Sequence, residues 1–353
     1  MKDFSAESIR SIDKSKMLDL ILDFPRQIRD AKIIGDKCES SLKKGFNKIV
    51  FTGLGGSAIG ADLIRAYLHD ECKIPIMVNR DYTLPAYVDK ETLLIVSSYS
   101  GNTEETLSAH KEGVKKGADV IAITTDGKLK KRAERDGFPC ILIPKGLPPR
   151  CALGYSSIPI ITLLSKSGLI GNKDKEIEEA SMLMEKLRDE VLSPKVEEDK
   201  NIGKRIARSI QNKYVIIYAA NKHFDVVLTR WRGQLAENAK TISSTHVFPE
   251  MNHNEIMGWR HPANLMKDLA VIMIRDSGDH PRVKKRMDIS RSIIQKEGVD
   301  VVEVSCEGGG LLSRIFLLIY IGDFVSLYLA LLNNIDPTPV DSVTYLKKEL
   351  AKA

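Results

Sequence analysis

A chain of 353 residues, 43% hydrophobic and 28% charged, has the composition of an ordinary globular protein and the length for two cores. The net charge of +6 is spread along the whole sequence, which gives no argument for a nucleic-acid surface and suits a small anionic substrate. The five cysteines (Cys38, Cys72, Cys140, Cys151 and Cys306) form no C-x-x-C pair, so idle thiols in a reducing cytoplasm are expected rather than disulfides.

The first residues, MKDFSAESIRSIDKSKM, are polar and charged, unlike a signal peptide. Residues 6–45 read as helices. From there short apolar runs alternate with helix-like stretches: KIVFTG, IPIMV, TLLIVSS, DVIAIT and FPCILIP as strands, with helices around 57–70, 103–117 and 128–136. Continuous apolar strands between helices predict a parallel sheet covered on both faces. Pro148 and Pro149 in KGLPPR close this first unit. Residues 151–210 read as mostly helical, and the charged run KDKEIEEASMLMEKLRDE as a solvated helix face.

Alternation then resumes with KYVIIYAA, the helix-like DVVLTRWRGQLAENAK, TISST, DLAVIMIR and VDVVEVS, and with helices at 281–297 and 311–333. The two halves share a rhythm, as a duplicated α/β unit would. The run IFLLIYIGDFVSLYLALL approaches transmembrane length, but Asp323 interrupts it, so a core or interface helix is expected and no membrane partner. The divisions predicted are an N-terminal helical segment (1–45), a first sheet domain (46–152), a helical connection (153–200) and a second sheet domain (201–353).

Two loops carry the chemistry of the first half. GLGGSAIGAD follows a strand and opens a helix, and its bare N–H groups at a helix N-terminus attract anions. The fit to a dinucleotide fingerprint is loose, and the strand that should carry a ribose-binding acid ends in Val78-Asn79-Arg80. SSYSGNTEET, after the strand TLLIV, supplies hydroxyls from Ser98, Ser100 and Thr103 at the next helix start, where Thr103 can also act as the cap. Without the Gly-Lys-Ser/Thr of a P-loop, this cluster suits one phosphate monoester. Both loops follow the carboxyl ends of buried strands, where ligands of open α/β sheets bind.

These two loops resemble the sugar isomerase (SIS) domain. With PPRCALGYS, RWRGQLAENAK, FPEMNHNEIMGW and DPTPVDSVTYLKKEL, in order from residue 51 to 350, the chain resembles the bifunctional phosphoglucose/phosphomannose isomerases. The resemblance implies two SIS-type subdomains, each a mainly parallel sheet flanked by helices. It also implies hexose 6-phosphate substrates interconverted through a cis-enediol, with no cofactor and no metal. Gly55, Gly56, Ser57, Ser98, Ser100 and Thr103 would hold the phosphate.

Glu237, by itself an ordinary helix carboxylate, takes the family's catalytic-base position. A carboxylate in a partly dry pocket has a raised pKa and can shuttle one proton. His253 would open the sugar ring from the neighbouring subunit of an obligate homodimer. Arg150 would hold charge on the enediolate, and Lys347 would lie near the ring or enediolate oxygens. The register leaves Lys347 and Lys348 both open for that role. Glucose-restricted relatives carry a glutamine near this lysine; DPTPVDSVTY has none, and Thr338 or Thr344 would leave room for the enediol to rotate, so that one base serves both C2 epimers. His246, His253 and His261 are spaced too widely for a compact zinc site.

Two other readings stand beside this one. The isomerase module of glucosamine 6-phosphate synthesis would need an amino-terminal glutaminase domain, which is not seen here. A SIS-fold regulator that binds without turnover would need the phosphate loops but not Glu237, His253 and a terminal lysine together.

Overall fold

The computed structural model describes residues 4–38, 42 and 45–352. In chain order the strands are β1 (Lys48–Thr52), β2 (Ile76–Asn79), β3 (Thr92–Ser97), β4 (Asp119–Thr124), β5 (Cys140–Leu142), β6 (Tyr214–Ala220), β7 (Ser243–Phe248), β8 (Leu269–Arg275) and β9 (Asp300–Ser305). The α-helices are α1 (Ala6–Ile12), α2 (Met17–Leu22), α3 (Phe24–Asp36), α4 (Gly56–Tyr67), α5 (Glu104–Lys115), α6 (Gly127–Asp136), α7 (Leu153–Lys166), α8 (Asp174–Leu187), α9 (Ile202–Ile210), α10 (Asp225–Glu237), α11 (Pro281–Lys296), α12 (Leu311–Asn333) and α13 (Asp341–Leu350). They form two compact units.

The N-terminal unit comprises Asp23–Leu183 and Gly309–Ser313. Its sheet runs in the order β2-β1-β3-β4-β5, every pair parallel. Phe51 of β1 pairs with Val78 on one side and Ile95 on the other. All of β3 is buried, as a strand covered by helices on both faces is. The helices α3 and α7, outside the 46–152 span expected for the first sheet domain, belong to this unit. They pack so closely that a Cβ on Gly35 would lie 2.6 Å from Thr162 Cβ. Gly310 N–H and the Ser313 hydroxyl both donate to Glu179 Oε2 at 2.7 Å, which ties the short 309–313 segment in.

The C-terminal unit takes residues up to Leu22, Met184–Gly308 and from Arg314 onward. Its sheet order is β7-β6-β8-β9, again all parallel. The first strand of each sheet thus lies between the second and third, the repeat that the shared sequence rhythm suggested, with β5 as an addition to the first. Tyr218, Phe248, Val271 and Met273 fill the second core. The apolar stretch of α12 is entirely buried, as a core helix requires. Trp231 of α10 donates its indole N–H to Leu318 O at 2.8 Å, and Gly322 leaves the space for its ring.

Most elements fall where the apolar pattern put them. The strand expected at TISST instead starts at Ser243 and runs to Phe248, and α10 stops at Glu237 rather than 240. The cause is local: Lys240 has φ +51°, and Thr241 N–H reaches back to Leu235 O at 3.0 Å, so residues 238–241 form a helix-ending turn.

Candidate active site

In the N-terminal unit the order 2-1-3 makes a topological switch between β1 and β3, and the carboxyl ends of strands at such a switch are where open α/β sheets bind ligands. Both sequence-identified loops are there. Gly55 adopts φ +51° and serves as the N-cap of α4, leaving the first helix N–H groups without a capping side chain. Ser57 Oγ accepts the Tyr99 N–H at 2.9 Å, and the Ser97 hydroxyl donates to Ser57 O at 3.0 Å, so the two loops are joined. Ser98 donates to Thr103 Oγ1 at 2.9 Å, and Ser100 Oγ accepts the Asn102 N–H at 3.2 Å. Thr103 holds the N-cap position of α5, but its hydroxyl meets Ser98 rather than a helix N–H.

Arg150 is brought to the same place. It sits buried in a helical turn, Pro149–Cys151, whose backbone abuts the first loop. A Cβ on Gly56 would come within 2.6 Å of the Pro149 carbonyl carbon and 2.9 Å of Arg150 N, so only glycine permits this approach. Gly55, Gly56, Ser57, Ser98, Ser100, Thr103 and Arg150 therefore belong to one neighbourhood. The Tyr99 hydroxyl closes its rim by donating to Pro144 O at 3.0 Å and accepting Leu147 N–H at 2.8 Å; burial raises the pKa of this phenol. Sequence reasoning missed Tyr99 because it was one unmarked residue between two serines.

In the C-terminal unit, Glu237 is the last residue of α10 and is partly exposed. It lines a cavity of about 420 Å³ with Lys240, Thr241, Pro339, Val340, Asp341 and others. Lys347 and Lys348 lie further along α13, both exposed. Thr338 N–H donates to Asp336 Oδ1 at 3.0 Å, and the Thr344 hydroxyl donates to Val340 O at 3.2 Å.

His253 is not brought to Glu237 within the chain. The helix α10 returns from the carboxyl edge of β6 to the amino edge of β7, which leaves Glu237 at the amino edge of the sheet. His253 follows the carboxyl end of β7, and six residues of strand at about 3.3 Å each separate the two edges by roughly 20 Å. The His253 side chain is exposed, while its segment is anchored on both sides. Asn252 Nδ2 donates to Ser290 Oγ at 2.8 Å, and the Tyr218 hydroxyl donates to Glu255. Burial, with the Glu255 carboxylate beside it, drives the Tyr218 phenol well above its ordinary pKa. Among the described residues no three His, Cys, Asp or Glu side chains are grouped to hold a metal.

A relative from Caldicellulosiruptor bescii, a bifunctional phosphoglucose/phosphomannose isomerase, is 48% identical over 95% of this chain and 99% of its own length. The chain belongs to that isomerase family. A second member, from Aquifex aeolicus, is 37% identical over 87% of this chain and 91% of its own. Family models for the SIS domain and for the bacterial phospho-glucose isomerase C-terminal SIS domain match residues 44–135 and 199–350. Among solved structures, a hypothetical protein from Thermus thermophilus superposes with a TM-score of 0.76 over 98% of this chain and 93% of its own, at 15% identity. The C-terminal domain of glucosamine-fructose-6-phosphate aminotransferase from Francisella tularensis does so with a TM-score of 0.69 over 92% and 98%, at 14% identity. At these identities the superpositions speak for the fold alone. The two SIS-type sheets expected from sequence are thereby established for this phosphoglucose/phosphomannose isomerase family member.

Proposed function

We propose that this chain interconverts glucose 6-phosphate, and mannose 6-phosphate, with fructose 6-phosphate by proton transfer between C1 and C2. The observation that carries the reading is identity of 48% along nearly the whole chain with a protein named for both activities. The paired loops after β1 and β3 support it, since their hydroxyls and helix N–H groups suit a phosphate monoester.

The 6-phosphate is held by Gly55, Gly56, Ser57, Ser98, Ser100 and Thr103. The Glu237 carboxylate takes the C2 proton of the open-chain aldose and returns it to C1. The hydroxyl proton on O2 passes to O1, so the aldehyde becomes a primary alcohol and C2 becomes the ketone. Arg150 and Lys347, or its neighbour Lys348, stabilise charge on the enediolate oxygens. Rotation of the enediol about C2–C3 presents either face of C2 to the same base, which accounts for both epimers. Protein donors stabilise the enediolate in this scheme, which uses no metal and no cofactor.

His253 opens the ring of a sugar bound to a second copy of the chain, in a cytoplasmic homodimer. The distance from Glu237 to His253 across the sheet supports this. So do Ile242, Met257, Tyr345 and Leu346, which are exposed by 74, 75, 67 and 58%. The ten-residue α13 buries nothing, and a helix that short needs a partner to be stable.

A coupled assay with both hexose 6-phosphates, with and without a chelator, tests the reading. Turnover of both, unchanged by the chelator, is expected. Chelator-sensitive turnover overturns the scheme with protein donors alone, and binding without turnover favours a SIS-fold regulator.

A further inference from the structure

We propose that Lys240 is a positioning residue for the isomerase reaction, whose ammonium fixes the Glu237 end of α10 against the segment leading into α13. Lys240 Nζ donates to Glu237 O at 2.7 Å, Pro337 O at 3.2 Å and Asp336 O at 3.3 Å. An ammonium has three N–H donors and no acceptor, so it can serve all three carbonyls at once. One of these carbonyls closes the helix that ends in Glu237. The other two lie almost a hundred residues on, just before the helix that carries Lys347 and Lys348. The same lysine lines the cavity that holds Glu237 and the first turn of α13.

The backbone gives a second, independent reason. Lys240 sits at φ +51°, in the left-handed turn after a helix where glycine is usual. Thr241 N–H bonds to Leu235 O at 3.0 Å across this turn, the closing bond of that cap. A helix end that needed only a cap would be served better by glycine. A lysine there is accounted for by its ammonium. Because α13 buries no side chain of its own, the two carbonyl contacts on Asp336 and Pro337 hold its root.

The inference rests on the reading of Glu237 as the base, and the test separates the two. Lys240→Gly keeps the turn and deletes the ammonium; Lys240→Arg keeps a donor. For K240G we expect an unchanged thermal midpoint and a KM for fructose 6-phosphate within about twofold, because the phosphate is gripped elsewhere. Its kcat should fall roughly ten- to a hundredfold, the scale of a misplaced catalytic group. K240R should recover most of that loss. Backbone hydrogen exchange over residues 338–346 should be faster in K240G than in the parent protein. Unchanged kcat in K240G, or a loss that tracks melting, overturns the inference, as does unchanged exchange. Full activity in E237Q would instead bring down the Glu237 reading, while accelerated exchange in K240G would still report the clamp.

Discussion

Arg230 and Asp323 meet as a bidentate ion pair inside the C-terminal unit, Nε to Oδ1 at 3.0 Å and Nη2 to Oδ2 at 2.8 Å, with side chains 5 and 3% exposed. Arg230 lies two turns before Glu237 on α10, and Asp323 is the single acid in the apolar run of α12. The charge that argued against a membrane span is thus a partner for the helix of the proposed base. Asn238 adds a bond from its side-chain N–H to Ser326 Oγ at 2.9 Å.

Removing one partner should expose the cost of the other. Asp323→Ala takes the carboxylate away from a buried guanidinium, and we expect a loss of about 3–5 kcal/mol in urea-unfolding free energy. Replacing both with apolar residues, R230M with D323L, should recover most of it. A loss below about 1 kcal/mol in the single variant would show that water reaches the pair.

The joined loops of the N-terminal unit predict a binding defect. Ser100→Ala with Thr103→Ala should mainly raise KM for fructose 6-phosphate, since the phosphate is held alike in ground and transition states. An unchanged KM would count against these hydroxyls as phosphate ligands. Ser57→Ala should affect the same constant through a second route, by releasing the Tyr99 N–H.

Glu237→Gln preserves shape and removes the proton shuttle. Acid–base catalysis contributes about 10²–10⁴-fold, so kcat should fall at least about a hundredfold for both epimers. Exchange of the C2 proton with D₂O should fall in parallel. Retention of mannose activity with loss of glucose activity would reveal a second base and end the rotating-enediol account.

Glu237 and His253 on opposite edges of one sheet make a mixing experiment informative. Combining E237Q with His253→Ala chains should restore part of the activity after subunit exchange, because one site in each heterodimer is intact. No recovery, with exchange confirmed by mass, would mean that each chain completes its own site.

His110 predicts the acid sensitivity of the N-terminal unit. Burial pushes its pKa down to about 4, and the Arg132 guanidinium, 3.2 Å from Nδ1, adds to the effect. The unfolded chain, with a histidine pKa near 6.5, therefore takes up the proton first as pH falls. The neutral-histidine contribution is complete above about pH 6.5 and is lost as pH drops to 4, by roughly 3 kcal/mol. His110→Gln should flatten unfolding free energy between those pH values. An equal slope in both proteins would assign the acid limb to other groups.

Sequence alone determined the alternation of buried strand and helix, because a strand covered on both faces must be apolar throughout, as TLLIVS is, and α12 could be read as a core helix from the length of its apolar run. It also determined the two hydroxyl- and glycine-rich loops, since turn chemistry is local. Family likeness, rather than periodicity, singled out Glu237, His253, Arg150 and Lys347; each is an unremarkable residue in its own stretch. Only the tertiary structure decided how distant pieces meet. The placing of β1 between β2 and β3 sets the two loops side by side and lets Ser57 bind Tyr99. The approach of Pro149 to Gly56 brings Arg150 to them. The return path of α10 puts Glu237 on the edge of the sheet away from His253. The segment before α13 brings the carbonyls of Asp336 and Pro337 to the Lys240 ammonium. Apart from the return of α10, these are pairings across some forty to a hundred residues, fixed by strand order and close packing, and no local period in the chain encodes them.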